Sequence, residues 1–154
     1  MRPEWVPQLA DAEDVLRLYP APAGGRRSAL VPNERGLDRA LSTSVERIAL
    51  VASASNQHNL ENLNRPTRDT VALAKKLAER SHAAGREVCG GVATAFGCPF
   101  EGEVSEDEVA FVVDGYLDAG IKDIFLADTI GVAKPVPFQR LLEAMLKRVD
   151  GRAR

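Results

Sequence analysis

Four short apolar runs punctuate the chain, at residues 28–31, 47–52, 87–95 and 124–127. Each is nearly continuous in apolar residues rather than strictly alternating, the pattern of strands covered on both faces in a parallel sheet. Between them the spacing turns helical. Leu37, Ala40 and Leu41 follow the first run. A long segment over 66–84 places Val71, Ala74 and Ala78 on one face with Leu73 and Leu77 beside it. Pro66 suits its first turn and Gly85 its stop. Ser105 followed by Glu108 is a capping box, and Val109, Val112, Val113 and Tyr116 continue it at i, i+3, i+4, i+7. Gly120 closes that helix. Phe138, Leu141, Leu142, Met145 and Val149 define a last amphipathic helix. Residues 11–18 form a short helix of weak periodicity, ended by the Pro/Gly-rich stretch 20–25. The polar stretch from Ser53 to Asn64 reads as a loop.

Strand then helix, four times over, predicts a parallel sheet covered by helices. Either an open doubly wound sheet or a β/α barrel satisfies that pattern. No glycine fingerprint of the dinucleotide or P-loop type follows the first strand, so nucleotide binding has no support. Polar residues instead collect after every strand: Asn33; Ser53, Ser55 and Asn56; Thr94 and Cys98; Asp128 and Thr129. Barrels build their active sites there, at the C-terminal ends of the strands. The expected fold is therefore α/β, a partial TIM (β/α) barrel of about four parallel units preceded by a short helix. A complete barrel needs roughly 250 residues and eight strands, so the 154 residues read as one incomplete domain over 1–154. A fifth strand is expected just beyond Val149.

Charge and composition narrow the function. The net charge is −2, from 20 basic and 22 acidic residues, which gives no electrostatic case for nucleic acid or an anionic membrane. No apolar run approaches bilayer length, and residues 1–5 carry no apolar signal region. Two cysteines give no disulfide framework, so a reduced, cytoplasmic setting is expected. Cys98 has no cationic neighbour in sequence to lower its pKa and reads as structural, and Cys89 as core. His58, in the polar stretch, and His82, on a helix, lack metal-ligand spacing to another histidine.

Specific residues then resemble a known family. Residues 5–11 (Trp-Val-Pro-Gln-Leu-Ala-Asp), 97–102 (Gly-Cys-Pro-Phe-Glu-Gly) and 128–132 (Asp-Thr-Ile-Gly-Val) are similar to three landmarks of hydroxymethylglutaryl-CoA lyase, in the same order. Val31-Pro32-Asn33, Ser53-Ala54-Ser55 and Asn62-Leu63-Asn64 match as well. The resemblance implies a TIM barrel. It implies a retro-Claisen cleavage of 3-hydroxy-3-methylglutaryl-CoA to acetyl-CoA and acetoacetate, assisted by Mg²⁺ or Mn²⁺. It also implies an acyl-CoA partner and a place in leucine degradation and ketone-body metabolism. By the same resemblance the metal ligands lie on the family's first, seventh and eighth strands. This chain matches the stretch between the second and seventh, so no metal ligand is expected in it.

The resemblance assigns Asp128 and Thr129 as the catalytic pair lining the pocket, and Asn62, Thr94 and Asn33 as substrate contacts. The plainer reading of Asp128 is a cap for the turn that follows, which its strand-end position makes the lesser of the two, while Asn62 is equally a turn residue. Asn56 stands where the family usually has an acidic residue, Arg65-Pro66 where it has small ones, and Gly91 where several members have a tyrosine. Two other readings compete with the lyase. One is a non-catalytic half-barrel that pairs with another chain or with itself, since open strand edges and an apolar inner face invite association. The other is a related aldol-type acyl-CoA lyase or synthase; the 97–102 segment favours the lyase.

Overall fold

In the computed structural model, which describes residues 7–154, each apolar run becomes a strand. Strands β1 (Ser28–Leu30), β2 (Arg47–Ser53), β3 (Glu87–Ala93) and β4 (Asp123–Leu126) lie side by side in that order. Every pair is parallel; Ala29 sits opposite Ile48, Val51 opposite Gly91, and Gly91 opposite Phe125. Parallel neighbours need a crossover, and helices supply it. Helix α1 (Ala12–Leu18) precedes β1, and α2 (Glu34–Leu41) joins β1 to β2. Helices α3 (Asn56–Leu63) and α4 (Thr67–Ala83) join β2 to β3, α5 (Glu106–Asp118) joins β3 to β4, and α6 (Pro135–Val149) follows. Trp5 and Val6 of the first landmark lie outside the described residues.

One expectation fails. The polar stretch after β2 is helical, so His58 and Asn62 sit on α3 rather than in a loop. Its signals are caps, not periodicity. The Ser55 hydroxyl accepts from the His58 N–H, and Asn64 ends the helix in the left-handed conformation at φ 51°. Asn59 alone of its residues is buried, so no apolar stripe marks it. The capping box of α5 forms as expected: Ser105 Oγ accepts from Glu108 N at 3.3 Å, and Glu108 Oε2 accepts from Ser105 N at 2.7 Å.

The two faces of the sheet meet different surroundings. Ile48, Leu50 and Ala52 on β2 and Val88 and Val92 on β3 join Leu37, Val71, Leu77, Val112 and Tyr116 of the helices in one core. Alternation puts the intervening side chains on the other face. There Leu30 is 61% exposed and Phe125 47% exposed. Helices thus cover one face, as in a barrel wall, and the doubly wound alternative is excluded. Cys89 is buried, but among the residues of that second face.

At the N-terminal end of the sheet, Arg47 lies between Glu87 (3.4 Å) and Asp123 (3.3 Å). Arg27 reaches the Leu16 and Ser44 carbonyls and pairs with Glu46 at 2.8 Å, tying α1 to the sheet. That hydrogen-bonded guanidinium holds the Glu46 carboxyl down to about 2. The backbone of Arg154 already pairs with β4 in the parallel sense. Its N–H donates to Lys122 O and its carbonyl accepts from Ile124 N, each at 2.8 Å. The Arg154 backbone thus lies along the start of the β4 edge, while residues 150–154 form turns and no strand.

The glycines at the centre of β3 separate the two faces. A Cβ on Gly90 would lie 2.6 Å from the Tyr116 ring, which is fully buried and donates its hydroxyl to Gly91 O at 2.9 Å. A Cβ on Gly91 would lie 2.5 Å from Cζ of Phe125, whose ring can swing into solvent. Gly90→Ala is expected to destabilise the chain by about 1–3 kcal/mol through overpacking, and Gly91→Ala by clearly less. Urea unfolding followed by circular dichroism tests this; equal losses would contradict the two-faced packing.

Candidate active site at the strand ends

The C-terminal ends of β2, β3 and β4 are tied together by side chains. Thr94, the first residue after β3, is a β-branched residue at φ 55°, a conformation that such residues rarely adopt. It is fully buried, and its hydroxyl donates to Ala93 O at 2.7 Å and accepts from Ser55 N at 3.3 Å. Its own N–H donates to Thr129 Oγ1 at 2.7 Å. One residue thereby connects the end of β2, through Ser55, to the end of β4, through Thr129.

Asp128 caps the turn that follows β4. Its Oδ1 accepts from Val132 N and its Oδ2 from Ala133 N, both at 3.0 Å. Gly131 at φ 70° lets the turn close. Asp128 and Thr129 are exposed, side by side at the mouth. Thr129 Oγ1 accepts from Thr94, which leaves its own hydroxyl proton free to donate outward. Asn33 is exposed at the end of β1 and caps α2, accepting from Gly36 N at 2.8 Å. Asn62 is exposed in the last turn of α3. The hydrogen bonds gather Thr94 and Thr129 into one unit, to which neither Asn33 nor Asn62 is bonded.

Sequence reading missed a second cluster beside them. Ser55 Oγ contacts Cys98 Sγ at 2.9 Å and donates to the Glu101 carboxylate. The Phe100 and Glu101 N–H groups both point at Cys98 Sγ, each at 3.4 Å. Burial pushes the Cys98 thiol up, but the Ser55 hydroxyl and the two backbone N–H groups outweigh it and bring the thiol below its ordinary value. The donors lie 43 residues away or in the turn after Cys98, so inspecting neighbours for cationic charge could not find them. Ser53 Oγ lies 2.7 Å from His58 Nδ1, and Asn59 Oδ1 accepts from Ser53 N. Asn56, where the family pattern is acidic, accepts from Thr67 N and so caps α4.

A divalent metal does not fit what is here. Among the described residues no three His, Cys, Asp or Glu side chains converge to hold an ion. Both oxygens of Asp128 face backbone amides, and the Nδ1 of His58 faces Ser53.

Two measurements test this geometry. Thr94→Ala strands the buried Ser55 N–H, a loss of about 1–3 kcal/mol. Thr94→Gly loses the same hydroxyl but recovers about 1 kcal/mol by removing the left-handed Cβ. Unfolding midpoints should therefore fall in the order Thr, Gly, Ala; Ala above Gly would refute the strain argument. Burial raises the Cys89 thiol while Cys98 is lowered. Thiolate absorbance against pH should show two steps, and Ser55→Ala should move only the lower step upward.

Residues 13–153 match the family model described as HMGL-like. The chain is 34% identical over 148 residues to hydroxymethylglutaryl-CoA lyase of Bacillus subtilis, covering 96% of this chain and 50% of that protein. It is 37% identical over 144 residues to the mitochondrial hydroxymethylglutaryl-CoA lyase of Arabidopsis thaliana, covering 94% of this chain and 31% of that one. The crystal structure of the Bacillus subtilis HMG-CoA lyase superposes with a TM-score of 0.92, over 96% of this chain and 50% of its own. An Acinetobacter baumannii HMG-CoA lyase in complex with coenzyme A and 3-methylmalate superposes at 0.90 with 36% identity, over 96% and 48%. The chain thus spans half or less of the length of these relatives. Family model, strand order and the polar strand ends agree: the chain is a partial TIM-barrel wall and belongs to the HMGL-like family.

Proposed function

We propose that this chain forms the substrate-facing wall of a lyase that cleaves 3-hydroxy-3-methylglutaryl-CoA to acetyl-CoA and acetoacetate. The observation that carries this reading is the superposition on the Bacillus subtilis lyase, with Asp128 and Thr129 at the mouth of the last complete strand. Thr129 donates its free hydroxyl proton to a substrate oxygen, and Thr94 positions it from below. Asp128, fixed by two amides, presents its carboxylate beside the reacting hydroxyl. Asn33 and Asn62 serve as outer contacts for the acyl-CoA. The Mg²⁺ or Mn²⁺ implied by the family resemblance would supply oxyanion stabilisation, and none of the residues described here is assigned to hold it. On this reading the protein serves leucine degradation and ketone-body formation in the cytoplasm. Among the described residues no helix is long and apolar enough to cross a membrane.

The sheet geometry supports a second property. Among the described residues no strand lies beside the β1 edge or, beyond the two Arg154 bonds, beside the β4 edge, and Leu30 and Phe125 expose apolar surface on the inner face. Such edges recruit other strands, and we propose that the chain associates through them.

A chimera tests the catalytic reading. Residues 13–153 replace the aligned segment of the Bacillus subtilis lyase, and Mn²⁺-dependent acetoacetate release is measured. The chimera should turn over, and Asp128→Asn should lower kcat by about 10²-fold or more. The 154-residue chain alone should show no turnover. A folded but inactive chimera, or turnover by the chain alone, would overturn the assignment of roles.

A further inference from the structure

The turns that lead out of the last three helices repeat a local pattern. Gly85 after α4, Gly120 after α5 and Gly151 after α6 all take the left-handed conformation, at φ 70°, 73° and 71°. A basic residue follows each within two positions: Arg86, Lys122 and Arg152. Cations are favoured beside helix C-termini, so each has a local reason to be there. The parallel order of the strands then gathers the three turns at the N-terminal end of the sheet. Together they line one depression of about 820 Å³, with Arg47, Glu87 and Asp123 among its other walls.

Charge in this depression is not balanced. Five Arg and Lys side chains line it against two carboxylates, an excess of three positive charges in a chain whose net charge is −2. Both carboxylates are already engaged twice. Glu87 pairs with Arg26 (2.5 Å) and Arg47 (3.4 Å), and Asp123 with Arg47 (3.3 Å) and Arg154 (3.8 Å). Among the described residues Arg86, Lys122 and Arg152 form no ion pair. Arg152 turns donors back to the end of α6, reaching Arg148 O at 2.9 Å and Val149 O at 3.3 Å. Arg86 spends one terminal nitrogen on Thr43 O at 3.0 Å, and its buried Nε has no partner among the described residues. Lys122 is exposed. A guanidinium offers five N–H donors and an ammonium three, so most of this donor capacity is unspent.

We propose that this depression binds a small anion carrying two phosphoryl groups. Its volume suits a small molecule, since such sites run to roughly 300–1,000 Å³. One phosphate ester brings a charge of about −1.5 to −2, so two such groups answer the three cations that have no carboxylate. Arginine forks take phosphate oxygens in pairs, and lysine meets them as a point charge. The site lies at the end of the sheet opposite Asp128 and Thr129, so its ligand does not compete at that mouth. A ligand held by the turns after α4, α5 and α6 at once favours the folded chain.

Calorimetric titration of the 154-residue chain with inorganic pyrophosphate, free of metal ions and at about 50 mM salt, tests the proposal. One site with Kd below about 1 mM is expected, with orthophosphate weaker by about tenfold or more. Lys122→Glu, at an exposed position, and Arg86→Ala should each weaken pyrophosphate by about tenfold or more. Lys122→Glu decides the matter if Arg86→Ala does not fold. Arg68→Ala, exposed in the first turn of α4 and outside the depression, should bind as the parent does. No saturable binding overturns the proposal. So does pyrophosphate binding that Lys122→Glu leaves unchanged in a folded chain. Orthophosphate binding as tightly as pyrophosphate overturns the two-group ligand, and displacement by an oligonucleotide at matched phosphate concentration overturns the small-molecule class. None of these outcomes bears on the lyase reading, which the chimera tests.

Discussion

Ile48, Leu50 and Ala52 point into the helices while Ala49, Val51 and Ser53 point away, and this one-sided burial governs the molecule. A parallel sheet is normally hidden on both faces. Here the helices hide one face, and the other has no cover within the described residues apart from what its own side chains provide. Phe125 shows the consequence. Its ring lies over Gly91 and still stays nearly half exposed. The helix-covered face supplies the hydrophobic stabilisation, with Tyr116 filling the place that a side chain on Gly90 would take. Two adjacent glycines thus serve opposite faces for one reason: a large ring lies over each.

The strand ends show what that packing allows. A β-branched residue in the left-handed region costs of order 1–3 kcal/mol, and such strain persists only where surroundings over-determine it. Thr94 is held from both sides, by Ser55 and by Thr129, across three strand ends. The Thr94 N–H in turn holds the Thr129 hydroxyl oxygen against the end of β3. In the proposed site Thr94 holds Thr129 from behind, whereas the family resemblance implies a direct substrate contact for it.

The sequence made the fold legible where burial and local chemistry coincide. Apolar runs mark all four strands to within two residues, and Ser105 and Glu108 announce α5 before its apolar stripe begins. Helix α3 was illegible because its stability comes from caps and from Asn59, whose amide bonds to Ser53 N, Arg65 O and Thr70 Oγ1. A buried asparagine in a polar run looks like a loop until its partners are known. The site divides the same way. Asp128 and Thr129 are legible by position, because a polar pair at a strand end is a local fact. Their partners are not, since the Thr94–Thr129 bond spans 35 residues and the Ser55–Cys98 contact 43.

The two ends of the sheet use polar groups differently, and this explains how a barrel wall can be separable from its chemistry. At the N-terminal end, Arg47 sits between Glu87 and Asp123, so charges neutralise each other across three strands. At the C-terminal end, backbone amides hydrogen-bond Asp128, and hydroxyls rather than opposite charges link the strands. Ion pairs at the first end hold neighbouring strands in register whether or not a ligand is near. Hydroxyls and capped carboxylates at the second end keep free donor and acceptor capacity pointing outward. In β/α barrels the N-terminal face characteristically serves stability and the C-terminal face function. This chain retains that division in four strands: the charges that begin its strands pair with one another, and its upper rim is organised around groups it does not itself complete.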